Sequence, residues 1–351
     1  MLKQNPSVLF IFDWMLKKIL LFTAVVIMTL LITEVVMRFA GFKPYRQGQH
    51  VEIKPNEIFA FDSLLGYRGA PGVYKINNGG VLWTATQNAG GYRITNWDDT
   101  LAEADTLPAI NIYGGAATYG YDLNDEATYP FVLQGMLPGY KVHNFGMSGY
   151  GVMANYLHLV KRCKVKKNDV VIYIYKADQD VRPSRSWQKV MALSLKEIGA
   201  KNFYFASIDT GLKPELHKFD YHLWPLDHYS ALVNFTENYY NSVLDNRDHL
   251  HDISRKAFIA MNKWCKERGC KFILVGRLND ALTSQTLQYC ADNGVQTVSL
   301  SKANIDIGKI AGSNINKPAK GDEDPAIMAH KIYANNLFNY LQQQGLVVVN
   351  R

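Results

Sequence analysis

The strongest pattern in the chain is an apolar stretch, Ile19 to Thr33, reading ILLFTAVVIMTLLIT without a charge. Glu34 interrupts it, Val35, Val36 and Met37 resume it, and Arg38 closes it. A helix of about 20 such residues crosses the ~30 Å hydrocarbon layer of a bilayer, so residues 19–38 are expected to form a transmembrane anchor. Glu34 sits near one end of the run, where headgroups reduce the cost of its charge. A cleaved signal sequence competes with this reading, but the run exceeds the roughly 7–15 residues of such a segment and no A-x-A site follows. Lys3, Lys17 and Lys18 against Asp13 place residues 1–18 in the cytoplasm by the positive-inside rule. The remainder is then expected on the periplasmic or other extracytoplasmic side of the inner membrane. Arg38, Lys43 and Arg46 weigh against that orientation.

Beyond the anchor the texture changes twice. Residues 41–105 carry turn pairs, Pro71-Gly72 and Gly90-Gly91 among them, with one strand pattern at Val81–Thr86. They form an N-terminal extension with short strands. From 106 to 345, short apolar runs alternate with helical periodicity. Strands are expected at Ala109–Tyr113, Lys141–Phe145, Val170–Tyr175, Phe272–Val275 and Val295–Leu300. Helices are expected at Ala127–Leu137, Val152–Cys163, His251–Arg268, Leu282–Asn293 and Ala326–Gln344. The run VVIYIY at 170–175 suits a strand buried on both faces. Such alternation predicts an α/β fold: a three-layer α/β/α sandwich around a mostly parallel five-stranded sheet of the flavodoxin-like kind. An insertion at 181–248 holds seven aromatics between His217 and Tyr240. It is either a cap over a binding cleft or a satellite packed on the core.

Composition narrows the function classes. Among 351 residues, 38 Lys and Arg against 31 Asp and Glu give +7, with no basic block of the kind that binds nucleic acid. Four cysteines exclude a disulfide-built scaffold. Cys265 and Cys270 flank a turn, and whether they bridge stays open. His217, His222, His228, His249 and His251 match no zinc spacing, so neither metal nor cofactor is expected.

In a parallel sheet, ligands bind where strands end. The first strand runs into Gly114-Gly115-Ala116-Ala117-Thr118, the second into Asn144-Phe145-Gly146-Met147-Ser148-Gly149, and the third into Ala177-Asp178-Gln179-Asp180. The last helix is preceded by Gly321-Asp322-Glu323-Asp324-Pro325. In this order, together with Phe61–Arg68 and Gly91-Tyr92-Arg93, the loops resemble the SGNH/GDSL hydrolase family over about residues 61–341. The Glu34–Arg38 pattern resembles that of its membrane-tethered members. The resemblance implies a serine nucleophile in the first loop, oxyanion donors from the first three loops, and a histidine base before the proline of the fourth.

At these positions the chain differs. Ala116 occupies the nucleophile position and Asp324 the base position, with Asp322 as the neighbouring acid. Gly115, Gly146 and Gln179 keep the oxyanion-binding part in outline, flanked by Asp178 and Asp180. The resemblance therefore implies a catalytically impaired protein that binds acylated envelope polysaccharide or supports a membrane-bound O-acyltransferase. Two alternatives remain: an active ester hydrolase or acyltransferase using Asp322, Asp324 or Thr118, and a structural subunit of a membrane complex. The Thr118 hydroxyl is expected to point away if its loop is extended. Ser148 misses the Gly-x-Ser-x-Gly elbow, and His330 is expected on the surface of the terminal helix.

Overall fold

The computed structural model describes residues 6–45, 51–98, 107–182, 184–197, 203–277, 280–300 and 325–348. Two compact units divide the chain. One joins Met1–Gly48 to His222–Leu244, and the other joins Gln49–Tyr221 to Asp245–Arg351.

The first unit is built on α1 (Pro6–Phe39), whose stretch Asp13–Phe39 is long and apolar enough to cross a membrane. The helix begins before the apolar run, and Asp13 and Lys17 pair on it one turn apart at 2.7 Å. Near its other end Glu34 reaches the start of α6 (Ala231–Leu244). Its carboxylate accepts from the Ala231 N–H at 2.8 Å, the Leu232 N–H at 2.9 Å and the Ser230 hydroxyl at 2.7 Å. Arg38 donates to Glu34 at 2.6 Å and to the Tyr229 carbonyl at 2.7 Å. A carboxylate on the first N–H groups of a helix satisfies donors that have no partner within the helix.

The second unit opens with five short antiparallel strands: β1 (Val51–Lys54), β2 (Phe59–Asp62), β3 (Gly66–Gly69), β4 (Gly72–Asn78) and β5 (Val81–Gln87). Strands β1, β4 and β5 form one sheet, and β2 pairs with β3. The chain then winds through β6 (Ala109–Tyr113), α2 (Ala116–Tyr119), α3 (Tyr129–Met136), β7 (Lys141–Asn144), α4 (Val152–Lys161), β8 (Val170–Tyr175) and α5 (Arg185–Glu197). A hairpin of β9 (Tyr204–Ile208) and β10 (Pro214–Lys218) follows. After the excursion to α6, the chain continues as α7 (Arg247–Glu267), β11 (Lys271–Gly276), α8 (Ala281–Asp292), β12 (Gln296–Ser299) and α9 (Pro325–Gln343).

The central sheet is five-stranded and parallel, ordered β7-β6-β8-β11-β12. This is the doubly wound order whose direction of winding reverses between the first strand, β6, and the third, β8. Alternation along β8 divides the core in two. Val170, Ile172 and Ile174 pack with Leu133 of α3 and Leu337 of α9. Val171, Tyr173 and Tyr175 pack with Leu157 of α4 and Phe258 of α7. All six strand residues are buried, so the continuous apolar run at 170–175 reflects helices on both faces.

The aromatic-rich insertion is split between the units: residues through Tyr221 belong with the sheet, and His222–Leu244 with α1. All four cysteines are free thiols, and Cys270 Sγ donates to the Cys265 carbonyl at 3.4 Å.

Candidate active-site cavity

Both strands at the reversal point end in loops that converge on one cavity of about 270 Å³. Ala116, the first residue of α2, opens onto it, joined by Ser148 and Gly149 from the loop after β7 and by Arg182. The remaining wall is apolar, with Ile53 and Trp83 from the N-terminal strands and Trp187 and Met191 from α5. Among the described residues lining the cavity, Arg182 carries the only charge and none is a histidine.

The loop after β6 turns directly into a helix because the Gly115 carbonyl accepts from the Thr118 and Tyr119 N–H groups, both at 3.0 Å. The loop is helical here, not extended, and Thr118 still does not line the cavity. Its side chain faces the core, and Tyr129 Oη donates to its hydroxyl at 3.0 Å. At residue 116 the turn places a methyl group on the cavity wall.

The loop after β7 is shaped by two glycines. A Cβ at Gly146 would stand 2.5 Å from the Tyr119 nitrogen, so only glycine lets this loop pass α2. The Gly146 N–H donates to Asn144 Oδ1 at 3.0 Å, which directs it to the side chain two residues back. Gly149 has φ +86 and lies on the cavity wall; a Cβ there would stand 2.4 Å from Tyr67 Oη. Among the described residues, neither the Gly149 nor the Ala116 N–H donates to a protein acceptor. In the sequence the signal for Gly149 is its spacing, three residues past Gly146 in the same loop.

The loop after β8 places its residues in three environments. Gln179 is buried: its Oε1 accepts from Tyr173 Oη at 2.9 Å and its Nε2 donates to the Ile174 carbonyl at 3.2 Å. A Cβ on Gly115 would stand 3.4 Å from that Nε2 and 3.5 Å from Arg182 Nη1, so Gly115, Gln179 and Arg182 converge. Asp178 faces solvent between Lys176, at 3.2 Å, and Arg182, at 3.6 Å. Asp180 lies inside the helical layer, where His251 Nδ1 at 2.6 Å and Tyr175 Oη at 2.5 Å hold one carboxylate oxygen. Burial raises its pKa, and these donors offset part of the rise. Arg182 was not singled out in the sequence; it is fixed by donating to the Tyr150 carbonyl at 3.0 Å.

Arg93, from the Gly91-Tyr92-Arg93 motif, braces the α2 loop from beneath. Its Nε donates to Asp125, Nη1 to the Tyr119 and Gly120 carbonyls, and Nη2 to the Thr84 and Leu123 carbonyls. All five guanidinium donors are used. Asp62, from the other lead-in motif, accepts from the Leu64 and Leu65 N–H groups and from both ends of the Arg162 guanidinium. Burial pushes the Asp62 pKa upward, but the Leu65 N–H and Arg162 outweigh it and hold the carboxyl below its ordinary value.

His330 lies on α9 but is not a surface residue. It is 7% exposed, and Nδ1 accepts from the Tyr129 N–H at 3.0 Å. The first turn of α3 needs an acceptor there, and α9 packs against it. Burial, reinforced by Arg277 and Arg93, lowers the imidazole pKa to about 3. Asp322 and Asp324 lie outside the described residues. Among the described residues, no three His, Cys, Asp or Glu side chains converge as a metal site would require.

Over about two thirds of its length the chain is similar to several solved structures. One, of the G-D-S-L family from Veillonella parvula, is 9% identical, with 68% of this chain and 100% of that one covered at a TM-score of 0.37. TesA is 12% identical, with 68% and 99% covered at 0.38. An alpha/beta hydrolase from the metagenome of Lake Arreo, Spain, is 13% identical, with 69% and 97% covered at 0.34. No family model and no curated protein matches the sequence.

Proposed function

We propose that the protein is a membrane-anchored, catalytically silent relative of ester hydrolases, which holds an acyl group in the Ala116 cavity without cleaving it. The observation that carries this reading is Ala116 itself, a methyl group at the strand-end position facing an apolar cavity. The Ala116 and Gly149 N–H groups and the Arg182 guanidinium are the donors available to a carbonyl or carboxylate oxygen. Such donors bind an oxygen bearing negative charge. Without a hydroxyl activated by a base, they have no attack to assist. Losing the nucleophile or base of such a triad lowers the rate by about 10⁴–10⁶-fold.

The natural ligand on this reading is an acylated envelope glycan, with the acyl group in the cavity, and the physiological role is to present it to a membrane-bound O-acyltransferase. A second reading, an active hydrolase, rests on Ser148, whose residue lines the same cavity.

The test uses the full chain in detergent with p-nitrophenyl acetate and p-nitrophenyl octanoate. Hydrolysis at the buffer rate, with saturable binding of octanoate, is the expected result. Turnover well above buffer that disappears in Ser148→Ala would establish the second reading. Turnover that disappears in Asp324→Ala would place the base in the fourth loop. Ala116→Ser combined with Asp324→His is expected to restore measurable esterase activity.

A further inference from the structure

Helix α6 is inside out. Its 14 residues bury Ala231, Glu237 and Asn241, while Phe235, Tyr239, Tyr240, Val243 and Leu244 are exposed, Tyr239 and Val243 to 64% and 63%. At about 100° per residue these exposed side chains occupy one half of the helix surface, and the buried polar pair occupies the other. Glu237 Oε1 accepts from the Trp224 N–H at 3.2 Å, so the segment before the helix covers its polar side. A helix surrounded by water buries its apolar face; this one keeps that face outward.

Its position indicates what meets that face. Glu34 of α1 holds the first N–H groups of α6, so the helix starts beside the last turns of α1. Phe42, just past the end of α1, packs edge-on against Phe235 at 5.0 Å between ring centroids. The outward face thus continues from the uncharged wall of α1, whose Leu30, Leu31 and Ile32 are all more than half exposed. Tyrosine and phenylalanine at the mouth of a spanning helix match the chemistry of the headgroup layer, where an apolar ring and a polar hydroxyl are both accommodated.

We propose that α6 is an interfacial helix, lying in the surface of the bilayer that α1 crosses. Its Phe235, Tyr239, Tyr240, Val243 and Leu244 face lies among lipid headgroups and the upper acyl chains. The proposal rests on α1 spanning a membrane and is independent of what the Ala116 cavity binds.

The test places an environment-sensitive fluorophore on Val243→Cys, on Tyr239→Cys and, as the polar-side comparison, on Asn238→Cys. The full chain is reconstituted in vesicles of phosphatidylethanolamine and phosphatidylglycerol at 3:1, with the labelled wild type setting the background from native cysteines. Lipids carrying a nitroxide near the headgroup should quench residues 239 and 243 at least threefold more than residue 238, and aqueous iodide should show the reverse order. Equal iodide access at all three positions would overturn the proposal, since the face would then be in water. Protection of 239 and 243 from both quenchers would also overturn it, by showing that protein covers the face.

Discussion

The Arg93 guanidinium and the Asp125 carboxylate meet at 2.8 Å with neither side chain accessible to water. The pair joins the N-terminal strands to the loop that carries Ala116. Arg93→Ala leaves a buried carboxylate unpaired and frees four carbonyls, and such a break costs about 3–5 kcal/mol. We expect a marked fall in the thermal midpoint of the full chain. Arg93→Lys should recover little of it, because an ammonium cannot span the five acceptors of a planar fork.

Two buried imidazoles predict how stability depends on pH. Burial, with Arg162 nearby, lowers the His158 pKa to about 4, and His330 lies at about 3. In the unfolded chain both take up a proton near 6.5. Below that pH the unfolded state binds protons that the folded state does not, so stability falls as the solution is acidified. The slope reaches about 1.4 kcal/mol per pH unit for each imidazole. Unfolding free energies measured from pH 7.5 to 4.5 should be flat at the top and fall below about 6. His330→Gln, which keeps an acceptor for the Tyr129 N–H, should flatten the acid side.

Asp62 adds a later loss. Its folded pKa is depressed, so its contribution is complete above about 4 and disappears as pH falls through the folded value. Asp62→Asn should therefore be less stable than the wild type at pH 7, with the difference narrowing toward pH 3 in chemical denaturation.

Arg182 should discriminate by ligand charge. For octanoate, Arg182→Met is expected to weaken binding by about 10- to 100-fold, the range for a hydrogen bond to a charged group. Octanol, which has no carboxylate, should bind both forms within about twofold. Calorimetric titration of the two ligands separates loss of the cation from loss of the cavity, since a collapsed cavity would weaken both.

Glu34→Ala removes the acceptor of the Ala231 and Leu232 N–H groups. Hydrogen exchange in the first turn of α6 should accelerate by at least tenfold in this variant, given about 1.5–3 kcal/mol for a charge-assisted bond. Exchange in α9 should be unchanged.

The sheet was legible because its strands are continuous apolar runs and its helices carry a 3.6-residue period. The patterns at Ala109–Tyr113 and Val170–Tyr175 match the strands to the residue, and those of the other three central strands match within one residue at each end. The apolar run of the anchor was equally plain, although α1 begins at Pro6, where the apolar run does not reach. Within the candidate site, the convergence of Gly115 and Gln179 was legible as loop order after parallel strands. The roles of neighbouring groups were not, because they depend on hydrogen bonds that no spacing encodes. Asn144 takes the Gly146 N–H, and Gly149 faces the cavity. Thr118 turns inward because residues 116–119 are helical, and His330 is buried because α3 needs an acceptor. The aromatics of α6 reveal nothing in sequence about which side faces out, since only contact with α1 and Trp224 shows that the polar side is covered.

The pairing beneath the α2 loop also bears on how the chain can be shortened. Residues 51–98 resemble a detachable preface to the parallel sheet, yet they supply the sole counter-ion of Asp125 among the described residues. A fragment beginning at residue 107 would keep every strand of the central sheet and still strand an acid in its interior. A portion of this protein able to fold on its own is therefore expected to include Arg93 along with the parallel sheet.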